Sequence, residues 1–235
     1  MQPPFKARVV AVRDLTHDVR QIDVSLIDPP QIQFVAGQFV SFEINRPGSR
    51  TPATRPYSIA SPPQQTDRVA LVLNRVPGGP GSTYLFGVRE GDAMTFKGPL
   101  GSFTLHENQR DVLFVATGTG IAPIRSMLWS LAVRGSTRRI TLLWGLRSEL
   151  DLYYEDELTI LRQQLPNLSA TITLSQPVGD WHGPVGRVSP LVTDAVTTTS
   201  NLEAYLCGNG GMIRDVRDII RQKGLCPIYT EQYYS

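Results

Sequence analysis

Val112-Leu113-Phe114-Val115-Ala116-Thr117-Gly118-Thr119-Gly120-Ile121-Ala122-Pro123 runs from an unbroken apolar stretch through a glycine-rich turn into helix-compatible residues. A stretch that is apolar at every position, rather than at every second one, is what a parallel strand buried on both faces requires. The glycines at 118 and 120 let a phosphate approach the backbone, and Pro123 is tolerated in a first helical turn. The pattern departs from G-x-G-x-x-G, because Pro123 stands where the third glycine would be. A tight βα turn that holds no ligand is the alternative.

Toward the C-terminus the alternation continues. The pattern predicts a helix from about Pro123 to Arg134, a strand over Arg139–Trp144, a helix over Glu155–Gln164, strands over Ser169–Leu174 and Leu202–Cys207, and a helix over Gly211–Lys223. Strands alternating with helices imply a parallel α/β sheet with right-handed crossovers. Ligands of such sheets lie beyond the carboxyl ends of the strands, so Cys207-Gly208-Asn209-Gly210-Gly211-Met212 is expected to face the same crevice as Thr117. Read alone, Cys207 is better taken as a buried core cysteine. The aromatic end, Thr230-Glu231-Gln232-Tyr233-Tyr234-Ser235, is either a surface that docks on something flat or an edge strand.

Toward the N-terminus the period changes to two. Ala7–Val12, Val19–Val24, Gln38–Ile44, Val69–Val76 and Ala93–Lys97 read as strands between Gly/Pro turns, with one short helix starting near Ser82-Thr83. Several short strands with regular turns imply a closed antiparallel Greek-key β-barrel. His106–Arg110 reads as the linker, dividing the chain into a barrel domain at 1–106 and a nucleotide-binding α/β domain at 107–235.

Two barrel segments carry chemistry. Arg55-Pro56-Tyr57-Ser58-Ile59 offers a cation for bidentate phosphate bonds, an aromatic face and a hydroxyl able to donate to flavin N5. A plain strand with one exposed arginine is the alternative. Gly78-Gly79-Pro80-Gly81-Ser82-Thr83 exposes backbone N–H groups and hydroxyls suited to a pyrophosphate; a hairpin followed by a helix cap is the alternative. Leu73, Asn74 and Arg75, just before this turn, are counted with the flavin-binding residues.

Together these segments resemble the ferredoxin–NADP⁺ reductase superfamily over nearly the whole chain. Arg55-Pro56-Tyr57-Ser58 resembles its R-x-Y-S flavin motif and Gly79-Pro80-Gly81-Ser82-Thr83 its pyrophosphate turn. Gly98-Pro99-Leu100-Gly101-Ser102-Phe103 is similar to the segment that closes its barrel. Thr117 to Pro123 resembles its nicotinamide loop, Cys207-Gly208-Asn209 with Met212 its C-G-x-x-x-M segment, and Glu231-Gln232-Tyr233 its terminal E-x-Y. Tyr234-Ser235 is an extension like that of bacterial ferredoxin/flavodoxin reductases.

The resemblance implies tightly bound FAD, preferred over FMN because a pyrophosphate turn is present. It implies NAD(P)H as electron donor or acceptor, and a one-electron protein partner: ferredoxin, flavodoxin or an oxygenase component. Ser58, Cys207 and Glu231 would shape the hydride-transfer pocket, and Tyr233, with Tyr234 beside it, would shield the flavin and swing aside. For the coenzyme it implies Thr117, Gly118, Thr119, Gly120, Pro123, Gly145, Arg147, Ser175, Gln176, Arg187, Cys207, Gly208, Asn209 and Met212. An arginine that often follows Ser175 in NADPH-using members is replaced by Gln176, while Arg147 and Arg187 match positions that help hold a 2′-phosphate. Trp181–Gly186 resembles NADH-using and dual-specificity members, which tilts the expectation toward NADH or dual use. An NAD(P)H:flavin reductase that releases free reduced flavin is a second reading, and a non-catalytic flavin- or nucleotide-binding sensor a third.

The bulk numbers narrow the classes. A net charge of +2, split as +3 over residues 1–110 and −1 over 111–235, gives no argument for nucleic acid and none for an acidic partner. No apolar run reaches the ~18 residues of a membrane span, and no secretory signal is visible. Two cysteines without a C-x-x-C and three scattered histidines predict no iron–sulfur cluster and no metal site; a reducing cytoplasm is the expected compartment.

Overall fold

The computed structural model describes residues 3–45 and 51–234, and the side chain of Tyr234 lies outside what is described. The chain divides into two compact units. One comprises Met1–Leu105 with the helical stretch Arg125–Ser130; the other comprises His106–Ile124 and Leu131–Ser235.

The first unit contains β1 (Phe5–Asp14), β2 (Val19–Asp28), β3 (Phe39–Ile44), β4 (Ala53–Ser58), β5 (Arg68–Asn74), α1 (Pro80–Gly87) and β6 (Ala93–Leu100). The antiparallel sheet has the order β4-β3-β6-β1-β2-β5. An antiparallel bridge between Ile59 and Leu71 joins its two ends and closes the barrel. Strands β3, β4 and β5 are thus successive neighbours and β6 returns beside β3, which is the Greek-key order.

Alternation selects the core. Phe5, Ala7 and Val9 of β1 point inward with Ile22, Val24, Val40, Phe42, Leu71 and Phe96, while the residues between those of β1 face outward. Leu85 of α1 is fully buried in this cluster. The barrel helix starts at Pro80, earlier than the Ser82-Thr83 start expected from sequence. Proline at its first position lacks only an N–H that no helix start can use.

The second unit is built from β7 (Asp111–Thr117), a 3₁₀ turn (Gly118–Gly120), α2 (Ile121–Val133, whose residues 125–130 cluster with the first unit), β8 (Ile140–Leu146), a second 3₁₀ turn (Glu149–Asp151), α3 (Glu155–Gln164), β9 (Leu168–Leu174), α4 (Leu191–Ala195), β10 (Leu202–Asn209), α5 (Gly210–Lys223) and β11 (Ile228–Tyr234). The sheet is parallel in the order β11-β10-β7-β8-β9. From β7 the chain winds outward to β8 and β9, then returns to place β10 on the other side of β7. That reversal is a topological switch point, and it opens at the carboxyl ends of β7 and β10.

Helix α4 and both 3₁₀ turns are too short to leave a periodic signature, and the sequence does not announce them. The aromatic terminus is the edge strand: Cys207 of β10 pairs with Glu231 of β11, and Gly208 with Gln232. Both cysteines are free thiols. Among the described residues no helix is long and apolar enough to cross a membrane.

At the amino ends of the strands, the segment read as a linker is pinned by a buried ion pair. Arg138 Nη2 meets Glu203 Oε1 at 2.5 Å, with side chains 5% and 0% exposed. Asn108 Nδ2 donates to Glu203 Oε2 at 2.8 Å, Arg138 Nε donates to Arg110 O, and the Tyr205 hydroxyl donates to Glu203 Oε1 at 3.1 Å. The donors converging on the carboxylate are what let it stay buried.

Candidate functional site

In the first unit, β4 carries Arg55 and Tyr57 on one face because they are two residues apart. Ser58, the last residue of β4, is buried, and Ile59 makes the bridge that closes the barrel. The N-terminus of α1 lies directly against this face. A Cβ on Gly81 would overlap Tyr57 Oη and stand 3.1 Å from Arg55 Cγ, so only glycine allows this approach. Pro80 has no N–H, and the Thr83 N–H bonds Gly79 O at 2.9 Å. The Gly81 and Ser82 N–H groups thus have no carbonyl within the helix to receive them.

Arg55 Nη1 donates to Thr54 O at 2.8 Å, and among the described residues the guanidinium has no acidic partner. A cation and two open backbone donors at a positive helix end form an anion cradle. Burial pushes the Tyr57 phenol up to about 12, against the pull of Arg55, so it stays a neutral, half-buried ring and hydroxyl.

Ser82 does something the sequence did not suggest. Its hydroxyl donates to Val76 O at 2.9 Å and accepts from Val76 N at 3.1 Å, so it staples the turn. Thr83 is exposed on the helix. Leu73 is buried and Asn74 half-buried, while Arg75 lays its guanidinium 4.4 Å from the Phe86 ring centroid. Arg125 Nη1 donates to Ala60 O at 2.7 Å and Ser126 Oγ to Ser61 O at 2.7 Å; these side chains just beyond β4 were missed in the sequence.

In the second unit the two glycine-bearing loops meet at the switch point. A Cβ on Gly120 would overlap Cys207 O and stand 2.9 Å from Gly208 N. Gly208, at φ +134, lies against Thr117, whose Oγ1 accepts from Asn209 N at 2.9 Å. Asn209 Oδ1 in turn accepts from Gly211 N at 2.8 Å and Met212 N at 3.3 Å and so caps α5. The side chains of Thr117 and Asn209 thus brace the two loops of the crevice, and Met212 is buried. Thr119 and Gly120 are buried in the turn, and Pro123 sits in the first turn of α2.

Cys207, Glu231 and Tyr233 come together. The register of β10 and β11 shifts between Gly208 and Asn209, which leaves Tyr233 as the extra residue of a bulge, a device that re-aims a side chain. Its hydroxyl hydrogen-bonds the Cys207 sulfur. Burial pushes the Cys207 thiol well up, the Glu231 charge adds to this, and the Tyr233 bond partly opposes it. Cys207 is therefore a neutral thiol and no nucleophile at neutral pH.

Farther along the carboxyl edge, the segments after β8 and β9 are joined. Ser175 N donates to Leu146 O at 3.0 Å and Gln176 N to Arg147 O at 2.7 Å. Leu174 bridges to Val185, and Gly186 N donates to Leu174 O at 2.8 Å, which brings the chain before Arg187 to the same edge. Arg147 and Arg187 are exposed, and among the described residues neither has an acidic partner. Glu149 is occupied: its carboxylate accepts from Val178 N at 2.8 Å and Gly179 N at 2.9 Å, bonds that hold it below the usual carboxylate range. Gly145 packs near Val188 and Thr117. Each unit thus has its own close approach of glycine backbone: Gly81 in one, Gly120 and Gly208 in the other.

Comparison with known proteins gives the family. Residues 6–105 match the oxidoreductase FAD-binding domain family, and residues 114–218 match the oxidoreductase NAD-binding domain family. Fold and loops define a flavin- and nicotinamide-dependent oxidoreductase. The chain is 35% identical to ferredoxin–NADP reductase B of Sorangium cellulosum, over 98% of both chains. It is 30% identical to the toluate 1,2-dioxygenase electron transfer component of Pseudomonas putida, over 99% of this chain and 68% of that one. Among solved structures, a cytochrome P450 reductase from Amycolatopsis superposes with a TM-score of 0.88 at 25% identity, over 99% of this chain and 70% of that one. The chain belongs to the ferredoxin–NADP reductase family.

Proposed function

We propose that residues 1–106 hold FAD tightly and residues 107–235 present NAD(P)H, and that the electrons go singly to a separate protein: a ferredoxin, a flavodoxin or an oxygenase component. The supporting observation is that one chain carries two separate cradles, Arg55–Tyr57–Gly81 in one unit and Gly120–Cys207–Gly208 in the other. A bound flavin supplies the conversion between two-electron exchange with a nicotinamide and one-electron exchange with a partner.

This chain's residues do the rest. Arg55 and the open N–H groups of Gly81 and Ser82 neutralise a pyrophosphate, and the Tyr57 ring packs along the cofactor. Ser58 would donate to flavin N5, and buried Cys207, with Glu231, would shape the place where nicotinamide reacts. Tyr233 competes with nicotinamide for the flavin face. Arg147 and Arg187 would be available to a 2′-phosphate while Gln176 supplies no charge, and the resemblance of Trp181–Gly186 to NADH-using and dual-specificity members tilts the reading toward NADH or both coenzymes. The compartment is the cytoplasm.

Stopped-flow reduction of the purified protein by NADH and by NADPH tests this. The expected result is a yellow protein whose flavin bleaches on mixing and which then reduces ferricyanide or a ferredoxin. A colourless protein that reduces added flavin and releases it would make the chain a flavin reductase. Bound flavin that neither coenzyme bleaches would overturn the reading.

A further inference from the structure

The Gly118 carbonyl receives two side-chain donors from outside its own loop. Trp144 Nε1 reaches it at 3.0 Å and Tyr153 Oη at 3.1 Å, besides the Ile121 N–H that closes the 3₁₀ turn. Trp144 is 0% exposed and Tyr153 6%. Their rings meet edge to face at 4.8 Å and 88°, and Tyr154 packs on Tyr153 at 5.1 Å and 64°.

The backbone around Tyr153 is unusually determined. Ser148 and Asp151 form a reciprocal capping box on the turn before it. Tyr154, immediately after it, is at φ +61, the one non-glycine with positive φ among the described residues. A bulky residue in the left-handed region persists only where its surroundings over-determine it, and such outliers gather at working sites.

A trans peptide points its N–H opposite to its carbonyl. Holding Gly118 O toward Trp144 and Tyr153 therefore turns the Thr119 N–H away from them. Gly118, at φ +52, has no side chain to restrict rotation of this peptide, so its orientation rests on the bonds to its carbonyl. Rotation would exchange the carbonyl and amide sides of this peptide, and carbonyls repel phosphates.

We propose that Tyr153 and Trp144 are positioning residues for the pyridine coenzyme, acting by clamping the Gly118 carbonyl so that the loop keeps the backbone shape it offers the coenzyme. This rests on the reading of residues 117–120 as the coenzyme loop.

The test is Tyr153→Phe in the full flavin-loaded chain, which deletes the hydroxyl and keeps both ring contacts. The KM for the coenzyme should rise roughly three- to tenfold, the worth of one buried neutral hydrogen bond. The kcat, the flavin content and the affinity for adenosine 2′,5′-diphosphate should stay at wild-type values, because that fragment engages the other end of the site. Trp144→Phe, which removes the second donor, should act in the same direction, and the double variant should show non-additive effects. An unchanged KM in Tyr153→Phe, or a parallel loss of affinity for the adenosine fragment, would overturn the clamp. If wild-type protein accepts electrons from neither coenzyme, the functional reading falls and the clamp with it; with an active wild type, the variants judge the clamp alone.

Discussion

Gly120→Ala puts the architecture of the coenzyme loop to its hardest test. The added methyl would overlap Cys207 O and stand 2.7 Å from Cys207 C and 2.9 Å from Gly208 N. Carbon atoms normally rest at about 3.5–4.0 Å, so the overlap is about 1 Å. All three neighbours are backbone atoms at the end of a buried strand, and no side-chain rotation relieves them. Overpacking of this kind costs about 1–3 kcal/mol. At the upper end, a chain of this size loses about 6–12 °C in Tm. A 1 Å displacement of the loop also costs on the order of 10²-fold in kcat/KM, since reacting groups must stay aligned.

The control is Gly118→Ala. It meets open space but takes a left-handed φ, at a cost of roughly 1–2 kcal/mol. Thermal unfolding followed by circular dichroism, together with NADH-dependent ferricyanide reduction, reads both quantities, and bound-flavin absorbance reports on the barrel separately. The expected order is a severe loss in Gly120→Ala, a mild one in Gly118→Ala, and flavin retained in both. Equal Tm and equal kcat/KM in the two variants would refute the contact argument.

Arg55→Ala removes the cation of the barrel cradle and should lose FAD on gel filtration; full retention of flavin would remove Arg55 from the site. Tyr233→Ser deletes the ring proposed to compete with nicotinamide, so coenzyme affinity should rise in a binding titration, and an unchanged value argues against that role. Arg138→Met strands the buried Glu203 carboxylate and should cost about 3–5 kcal/mol in urea unfolding, with flavin content unaffected. A loss within error of zero there would show that water reaches Glu203.

The sequence by itself determined the two architectures and the places of the two loops. Period-two alternation in β1 and β6, and the solid apolar run of β7, follow from burial on one face or on both, and burial is written in side-chain type. The glycines at 81 and 120 were legible as parts of glycine-rich turns. What each comes close to was not. Only the tertiary structure set Gly81 against Tyr57, Gly120 against the Cys207–Gly208 peptide, and Tyr233 against the Cys207 sulfur.

It also showed the internal bonds of side chains that looked like ligand donors. Ser82 staples its turn, Thr117 receives Asn209 N, and Asn209 caps α5. Trp144 and Tyr153 gave no signal beyond being aromatic, although they hold the carbonyl of a loop residue 26 and 35 positions away. The physical reason is the range of the forces. Periodicity and turn chemistry act between chain neighbours and leave a local record, whereas hydrogen bonds between distant residues depend on where folding brings the donors.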